Sequence, residues 1–328
     1  MTVASETKKT FWISRRDVLL FLRKNSTLMV LVLLWVGLTI ASRHFLTTDN
    51  ILNILLQSSN IGIIACGETM VIIAAEIDLG VGSVEALAGS VAAVLMVNYK
   101  MPTVVAIVAA LAAGVLTGAV VGFFTSRVRI PSFITTLSML SIARGVALIL
   151  AGGRAVYGLP DLFKFIGQGK IWIIPFPIIL ALIIFALVWA IMRFTRFGIN
   201  IYALGSNEEA SRLSGIDPAK IRMAVLILCS LCAAIAGLIV ASRLNSGNGT
   251  IGADDNLDAI ASVVIGGTSL FGGVGTITGT LIGVLLVSSI HNGLNLLAVS
   301  AYWQDVAIGA LILLATLLDY LTKSRRSR

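Results

Sequence analysis

Charge is scarce in this sequence: 12% of its 328 residues are Asp, Glu, Lys or Arg, while 57% are hydrophobic. Soluble domains carry about 25% charged residues, so a water-soluble fold of this length is excluded. Histidine and cysteine are scarcer. His44 and His291 are far apart, and Cys66, Cys229 and Cys232 all fall in apolar runs. The C-x-x-C at 229–232 has no second pair, which leaves metal or redox use without partners and makes small core residues the better reading. No G-x-x-x-x-G-K-[ST], H-E-x-x-H or G-x-S-x-G occurs, so the chain has no phosphate cradle of its own. No enzymatic chemistry, catalytic residue, metal or cofactor is expected. An apolar core close to residue 1 and an A-x-A site are also missing, so no removable signal peptide is expected.

What the sequence does have is long, unbroken apolar runs. Membrane barrels alternate polar and apolar residues on short strands; these runs do not. A helix satisfies its own backbone hydrogen bonds and is the remaining way to span a bilayer. The fold class is therefore all-α, a polytopic transmembrane bundle in contact with membrane lipid. A span needs about 20 apolar residues, and about ten are predicted, at 26–43, 52–75, 81–98, 102–123, 131–151, 171–192, 221–243, 256–271, 274–297 and 302–320.

The net charge of +8 could suggest nucleic acid, but its placement does not. Lys8, Lys9, Arg15, Arg16, Arg23 and Lys24 precede the first run; Lys323, Arg325, Arg326 and Arg328 follow the last. Short segments rich in Lys and Arg stay cytoplasmic. This gives a basic cytoplasmic arm at 1–25, one transmembrane domain at 26–320 with a cytoplasmic segment at 193–222, and a basic cytoplasmic tail at 321–328. Arg127, Arg129, Arg193, Arg196, Arg212, Lys220 and Arg222 fall inside on this topology; Arg154, Lys164 and Lys170 are exceptions. An inner-membrane protein with both termini cytoplasmic is predicted.

Two segments read as helix breaks: Glu76–Ser83, and the Gly-rich run from Gly266 to Gly275. Paired interruptions in two five-span halves suggest inverted repeats around a central pathway. Ionisable residues at membrane depth are costly and point to function. Glu76, Asp78 and Ser83 are therefore candidate pathway residues, with Glu68 two turns earlier; the alternative is hydration near the interface or pairing with a base such as Arg144. Asn292 and Asn295 share a helical face with His291 and either join the pathway or hold helices together. Asp254, Asp255 and Asp258, near Arg243, form either a partner-docking loop or a solvated one.

The longest polar stretch lies at 201–222. Ser206 or Asn207 can cap a short helix with Glu208 and Glu209 in its first turn, Gly215 can end it in the left-handed conformation, and Pro218 bars its continuation. By residue type alone this is either a presented amphipathic helix or a solvated loop. The run Ala203, Leu204, Gly205, Asn207, Ala210, Arg212, Leu213, Ser214, Gly215, Ile216 resembles the coupling region of ribose/xylose/galactoside-type ABC permeases. Three further stretches resemble the same family: I-D-L-x-V-G-S at Ile77–Ser83, the run from Leu257 to Gly273, and N-G-L-N-L-L from Asn292. The resemblance covers nearly the whole chain after residue 45. It departs where many members have two small residues before I-D-L: here stand Ala75 and Glu76, with Gly80 where a serine is usual.

The resemblance implies a permease subunit importing a monosaccharide (a pentose such as ribose or xylose, or a related polyol). Its implied partners are a separate ABC ATP-binding subunit, a periplasmic sugar-binding protein and a second permease copy or sister permease. ATP hydrolysis falls to the partner chain. Gly205, Asn207, Glu208, Glu209, Ala210, Arg212, Leu213 and Gly215 are then the ATPase-coupling residues. The rival readings are a proton-coupled secondary transporter using the intramembrane acids, a membrane subunit of a larger enzyme, or an ABC permease for a non-sugar solute.

Overall fold

The computed structural model describes residues 26–326. The basic arm at 1–25 and the last two residues of the basic tail lie outside them. Thirteen α-helices are described: α1 Ser26–Ala41, α2 Thr48–Ile73, α3 Val81–Val97, α4 Thr103–Phe123, α5 Ser132–Leu150, α6 Asp161–Gln168, α7 Phe176–Phe194, α8 Arg196–Ser206, α9 Glu208–Leu213, α10 Pro218–Leu244, α11 Asp255–Ile265, α12 Ile277–Leu296 and α13 Ala301–Arg326. A π-helical turn, Phe124–Val128, extends α4. Strand is confined to two residue-pair ladders, β1 (Val156–Tyr157) with β4 (Ser246–Gly247) and β2 (Lys170–Ile171) with β3 (Ile174–Pro175).

Among the described residues, seven helices are long and apolar enough to cross a membrane: α2, α4 with its π turn, α5, α7, α10, α12 and α13. Two more, α1 and α3, are apolar but shorter. The predicted eighth span, at 256–271, is only the 11-residue α11, because the chain leaves the helix at Gly266 and turns at Gly267, where φ is 91°. Helix α6 was not anticipated; eight residues carry too little periodicity to stand out.

Helices α2 and α10 form the centre. Their membrane-length windows are 89% and 61% buried, against 12% for α13, so the last helix lies at the periphery. Close approach explains the centre. A Cβ at Gly67 would lie 2.7 Å from the Cα of Cys229, and one at Gly118 would lie 2.7 Å from the Cα of Ile227. Small residues thus let α2 and α4 pack backbone-close on α10, the packing that works where lipid removes the hydrophobic drive.

The first predicted break is present: α2 stops at Ile73, Ala75 takes φ 62°, and residues 76–79 are non-helical before Gly80, in the right-handed helical region, caps α3. The second predicted break, Gly266–Gly275, is non-helical too: it is the turn between α11 and α12, lying beside the end of α2, where the Gly273 N–H donates to the Ile73 carbonyl at 2.9 Å. A third, unpredicted break at 245–254, between α10 and α11, lies against the first. The two meet: a Cβ at Gly82 would lie 2.0 Å from the Gly252 carbonyl, and the Asn256 amide donates to the Leu79 carbonyl at 3.3 Å.

Candidate functional site

Two sites emerge, one at the end of the bundle that carries α9 and one in its interior. The α9 end is built by caps. Thr195 accepts from the Gly198 N–H at the start of α8, and Asn207 accepts from the Ala210 N–H at the start of α9. Satisfying these otherwise unpaired donors is what starts a helix at each point. Gly215 stops α9 at φ 84°, where its own N–H reaches the Arg212 carbonyl (3.1 Å) and the Ile216 N–H reaches the Ser211 carbonyl (3.0 Å). These two bonds are the paired closure of a Schellman end. Pro218 has a different part from the expected one: it occupies the first turn of α10, which Asp217 caps by accepting from the Ala219 and Lys220 N–H groups. Those amides hold the Asp217 carboxyl below the usual carboxylate range.

The coupling set is spread over two environments. Glu209, Arg212 and Leu213 are exposed, Leu213 at 80%, with Glu209 and Arg212 beside a groove against the bundle. Ala210 and Asn207 supply the cap. Gly205 packs inward instead: a Cβ there would lie 1.7 Å from the Ile73 carbonyl, so only glycine lets α8 rest on the end of α2. Glu208 turns towards α10. The Arg222 guanidinium donates to both its oxygens, at 3.0 and 2.5 Å, and through Nε to Glu76 at 2.5 Å. The Arg222 hydrogen bonds hold the Glu208 carboxyl below its ordinary range. Beside this cluster lies a groove of about 880 Å³ between α9 and residues 125–132, rimmed by Arg127, Arg129 and Arg212.

The predicted pathway residues do not form one group. Glu76 is at the α9 end, paired with Arg222 rather than Arg144. Asp78 is buried two residues further in and accepts from the Gly80 N–H at 2.8 Å. Ser83 accepts from Arg144 Nε at 3.2 Å. Asn292 is occupied by a reciprocal amide pair with Asn50, at 2.8 and 2.9 Å, which holds α12 to α2. Asn295 does line a cavity, and accepts there from Gln304 at 2.8 Å. Glu68 is fully buried on α2.

The second site is a cleft of about 390 Å³, open at Leu244 and Asn295 and reaching in to Asn60, where polar side chains converge. Asn60, Arg243, Asp255, Asp258 and His291 line it with Asn295. Asn60 is near the middle of α2, about 20 Å along the helix from Ile73 at 1.5 Å per residue. Its amide donates to Asp255 at 2.9 Å and to Glu85 of α3 at 3.1 Å. His291 lies between Asp258, at 3.1 Å, and Gln304, also at 3.1 Å. The volume falls in the range of small-molecule sites, about 300–1,000 Å³. Carboxylates, amides, an imidazole and a guanidinium offer both donors and acceptors, enough to exchange for the water around a hydroxylated solute without covalent chemistry. Asp255 and Asp258 thus face inward rather than into a solvated loop. Sequence reading missed Asn60; the polar run Gln57-Ser58-Ser59-Asn60 inside a 26-residue span was the signal available.

Residues 50–316 match the family described as branched-chain amino acid transport system / permease component. The ribose import permease protein of Escherichia coli (strain K12) is 44% identical over 303 residues, 91% of this chain and 94% of that protein. The D-allose transport system permease protein of the same organism is 38% identical over 304 residues, 92% and 93% of the two chains. Its xylose transport system permease protein is 34% identical over 342 residues, 86% and 87%. No solved structure matches. Matches of this length, spanning both breaks and α9, make the chain a member of that permease family, on the branch of the sugar ABC permeases.

Proposed function

We propose that this chain is the membrane-spanning subunit of a binding-protein-dependent ABC importer, moving a monosaccharide (a pentose such as ribose or xylose, or a related sugar or polyol) across the inner membrane. The observation that carries the proposal is the polar cavity of about 390 Å³ reaching the middle of an apolar bundle. The printed substrates of the relatives, ribose, allose and xylose, all bear several hydroxyls that such a lining would hold. In this reading a binding protein releases sugar above Arg243 and Asp258, and Asn60, Asp255 and His291 hold it briefly. A separate ATPase grips α9 through Leu213, Glu209 and Arg212 at the cytoplasmic face, and closure of its two domains around nucleotide alternates access to the cavity. Transport then depends on differential contacts in two states, and a second permease, identical or sister, completes the pathway. Glu76 acts at the docking end of this scheme, whereas Asn295 belongs to the pathway.

Uptake of labelled ribose, xylose and allose should be measured in cells carrying the chain with and without its ATPase. Uptake of one sugar that requires the ATPase and survives a protonophore is expected. Uptake that persists without the ATPase and collapses with the protonophore would instead make it a proton-coupled carrier using acids such as Glu68.

A further inference from the structure

The cavity and the α9 end are joined by one short piece of chain that side chains hold at several points. Arg222 binds Glu208 of α9 with two nitrogens and Glu76 with its third. Glu76 opens the non-helical segment 76–80, whose four steps span at most about 13 Å at 3.3 Å per residue. Along it the Ile77 N–H donates to Ser132 Oγ at 3.2 Å, and Thr136 Oγ1 donates to the Ile77 carbonyl at 3.3 Å. At its inner end the Leu79 carbonyl accepts from the Asn256 amide at 3.3 Å. Asn256 adjoins Asp255, which shares Asn60 with Glu85.

We infer that residues 76–80 act as a strap: the Glu208–Arg222–Glu76 cluster fastens it to the docking helix, and Asn256 fastens it to the cavity floor. Displacement of α9 is thereby transmitted to Asp255 and Asn60. The strap suits this task because only its ends join helices, the Glu76 N–H closing α2 on the Val71 carbonyl and the Gly80 carbonyl opening α3, while Ile77–Leu79 between them make no helical hydrogen bonds. Its backbone is held by side chains from α5 and α11, and such a segment shifts as a unit when its ends are pulled. The charged end is the stronger attachment, since hydrogen bonds between ionised groups exceed neutral ones about twofold. Helices α2 and α10 are too tightly interlocked at Gly67 to carry the motion themselves. Glu76, Arg222 and Asn256 are therefore positioning residues. The inference rests on the ABC-importer reading, and the distance measurement below separates its failure from the failure of that reading.

The experiment uses the full permease reconstituted in liposomes with its ATPase and binding protein, with sugar uptake and ATP hydrolysis measured together. Glu76→Gln and Asn256→Ala are each expected to keep the ATPase bound and hydrolysing, while sugar moved per ATP falls about tenfold, within the span of site-to-site coupling energies. The double variant should be no worse than either single one, because both cut the same connection. Arg222→Lys keeps the charge and should retain part of the coupling. An unchanged ratio in either single variant, or losses that multiply in the double, would overturn the strap. Spin labels at Ser214→Cys and Ala253→Cys give a readout independent of cargo, the three native cysteines being buried. Nucleotide should change their separation in the parent protein and not in Glu76→Gln; an equal change in both would also overturn the strap. A complex that shows this change yet moves no sugar contradicts the proposed function and leaves the strap intact.

Discussion

At the level of single residues, Glu208 shows what an ionised group gains from its neighbour. Its carboxyl gains Arg222 on folding and so titrates lower in the folded protein than in the unfolded chain. The sign follows: the stability it adds is complete above the ordinary carboxylate range and is lost as pH falls through the lowered value. Its side chain is half exposed, so solvent screening limits the gain to about 1 kcal/mol or less. Thermal unfolding of Glu208→Gln should therefore sit slightly below the parent at neutral pH, with the two curves converging in acid. A gap that widens in acid would contradict the pairing. The acidic and capping character of Asn207, Glu208 and Gly215 was legible in the sequence because caps are local chemistry. The partners of Glu208 and Glu76 were not, since Arg222 is 14 residues from one and 146 from the other. Nothing in a one-dimensional pattern distinguishes it from Lys220 or Arg212.

At the level of elements, α9 is the best-specified feature of the chain. Six helical residues cannot stand alone, because the first turns of a helix cost more than they return. The caps at both ends therefore decide whether α9 exists. Gly215→Val places a β-branched side chain at φ 84°, where L-residues lose roughly 1–2 kcal/mol, and unfastens the Ile216–Ser211 and Gly215–Arg212 bonds together. The variant should insert and elute as the parent does while co-purifying ATPase and sugar uptake both fall about tenfold or more, as expected for a disrupted docking element. Normal co-purification and uptake would remove α9 from the docking surface. The predicted breaks were legible because Gly and acidic residues at 76–83, and Gly at 266–275, interrupt apolar runs. The further one, 245–254, reads Asn-Ser-Gly-Asn-Gly-Thr-Ile-Gly-Ala-Asp, which is indistinguishable from an exposed loop. Depth is not encoded in composition; it came from Gly252 lying against Gly82. Hence Asp255 and Asp258, read as either docking or solvated, belong to the interior.

At the level of the whole molecule, the helical membrane bundle was legible because hydropathy measures what lipid demands, while the ten predicted segments meet seven helices of spanning length and two shorter apolar ones among the described residues. Which of them sit at the centre was not legible, since α2 is less apolar than α4 or α7 and yet more buried. Polar side chains are affordable in α2 because it faces protein: Asn50, Asn60, Glu68 and Thr69 all find the bundle interior. Burial of this kind requires the backbones of α3 and α10 to come close, and Gly237 is where they do. A Cβ at Gly237 would lie 2.2 Å from the Glu85 carbonyl and 3.0 Å from its Cα, backbone atoms that no side-chain rotation can move aside. Gly237→Ala must therefore push α3 off α10, and overpacking of this sort costs typically about 1–3 kcal/mol. Because Glu85 shares Asn60 with Asp255, the same displacement reaches the cavity. Gly309 provides the control, having no atom within 4 Å of its notional Cβ; Gly309→Ala adds helix propensity at a peripheral helix and should leave unfolding unchanged or slightly later. Thermal unfolding of the two variants in the same detergent separates the cases. Gly237→Ala should unfold earlier and lose uptake, and equal unfolding temperatures for the two would show that the bundle is not locked at the Gly237–Glu85 contact.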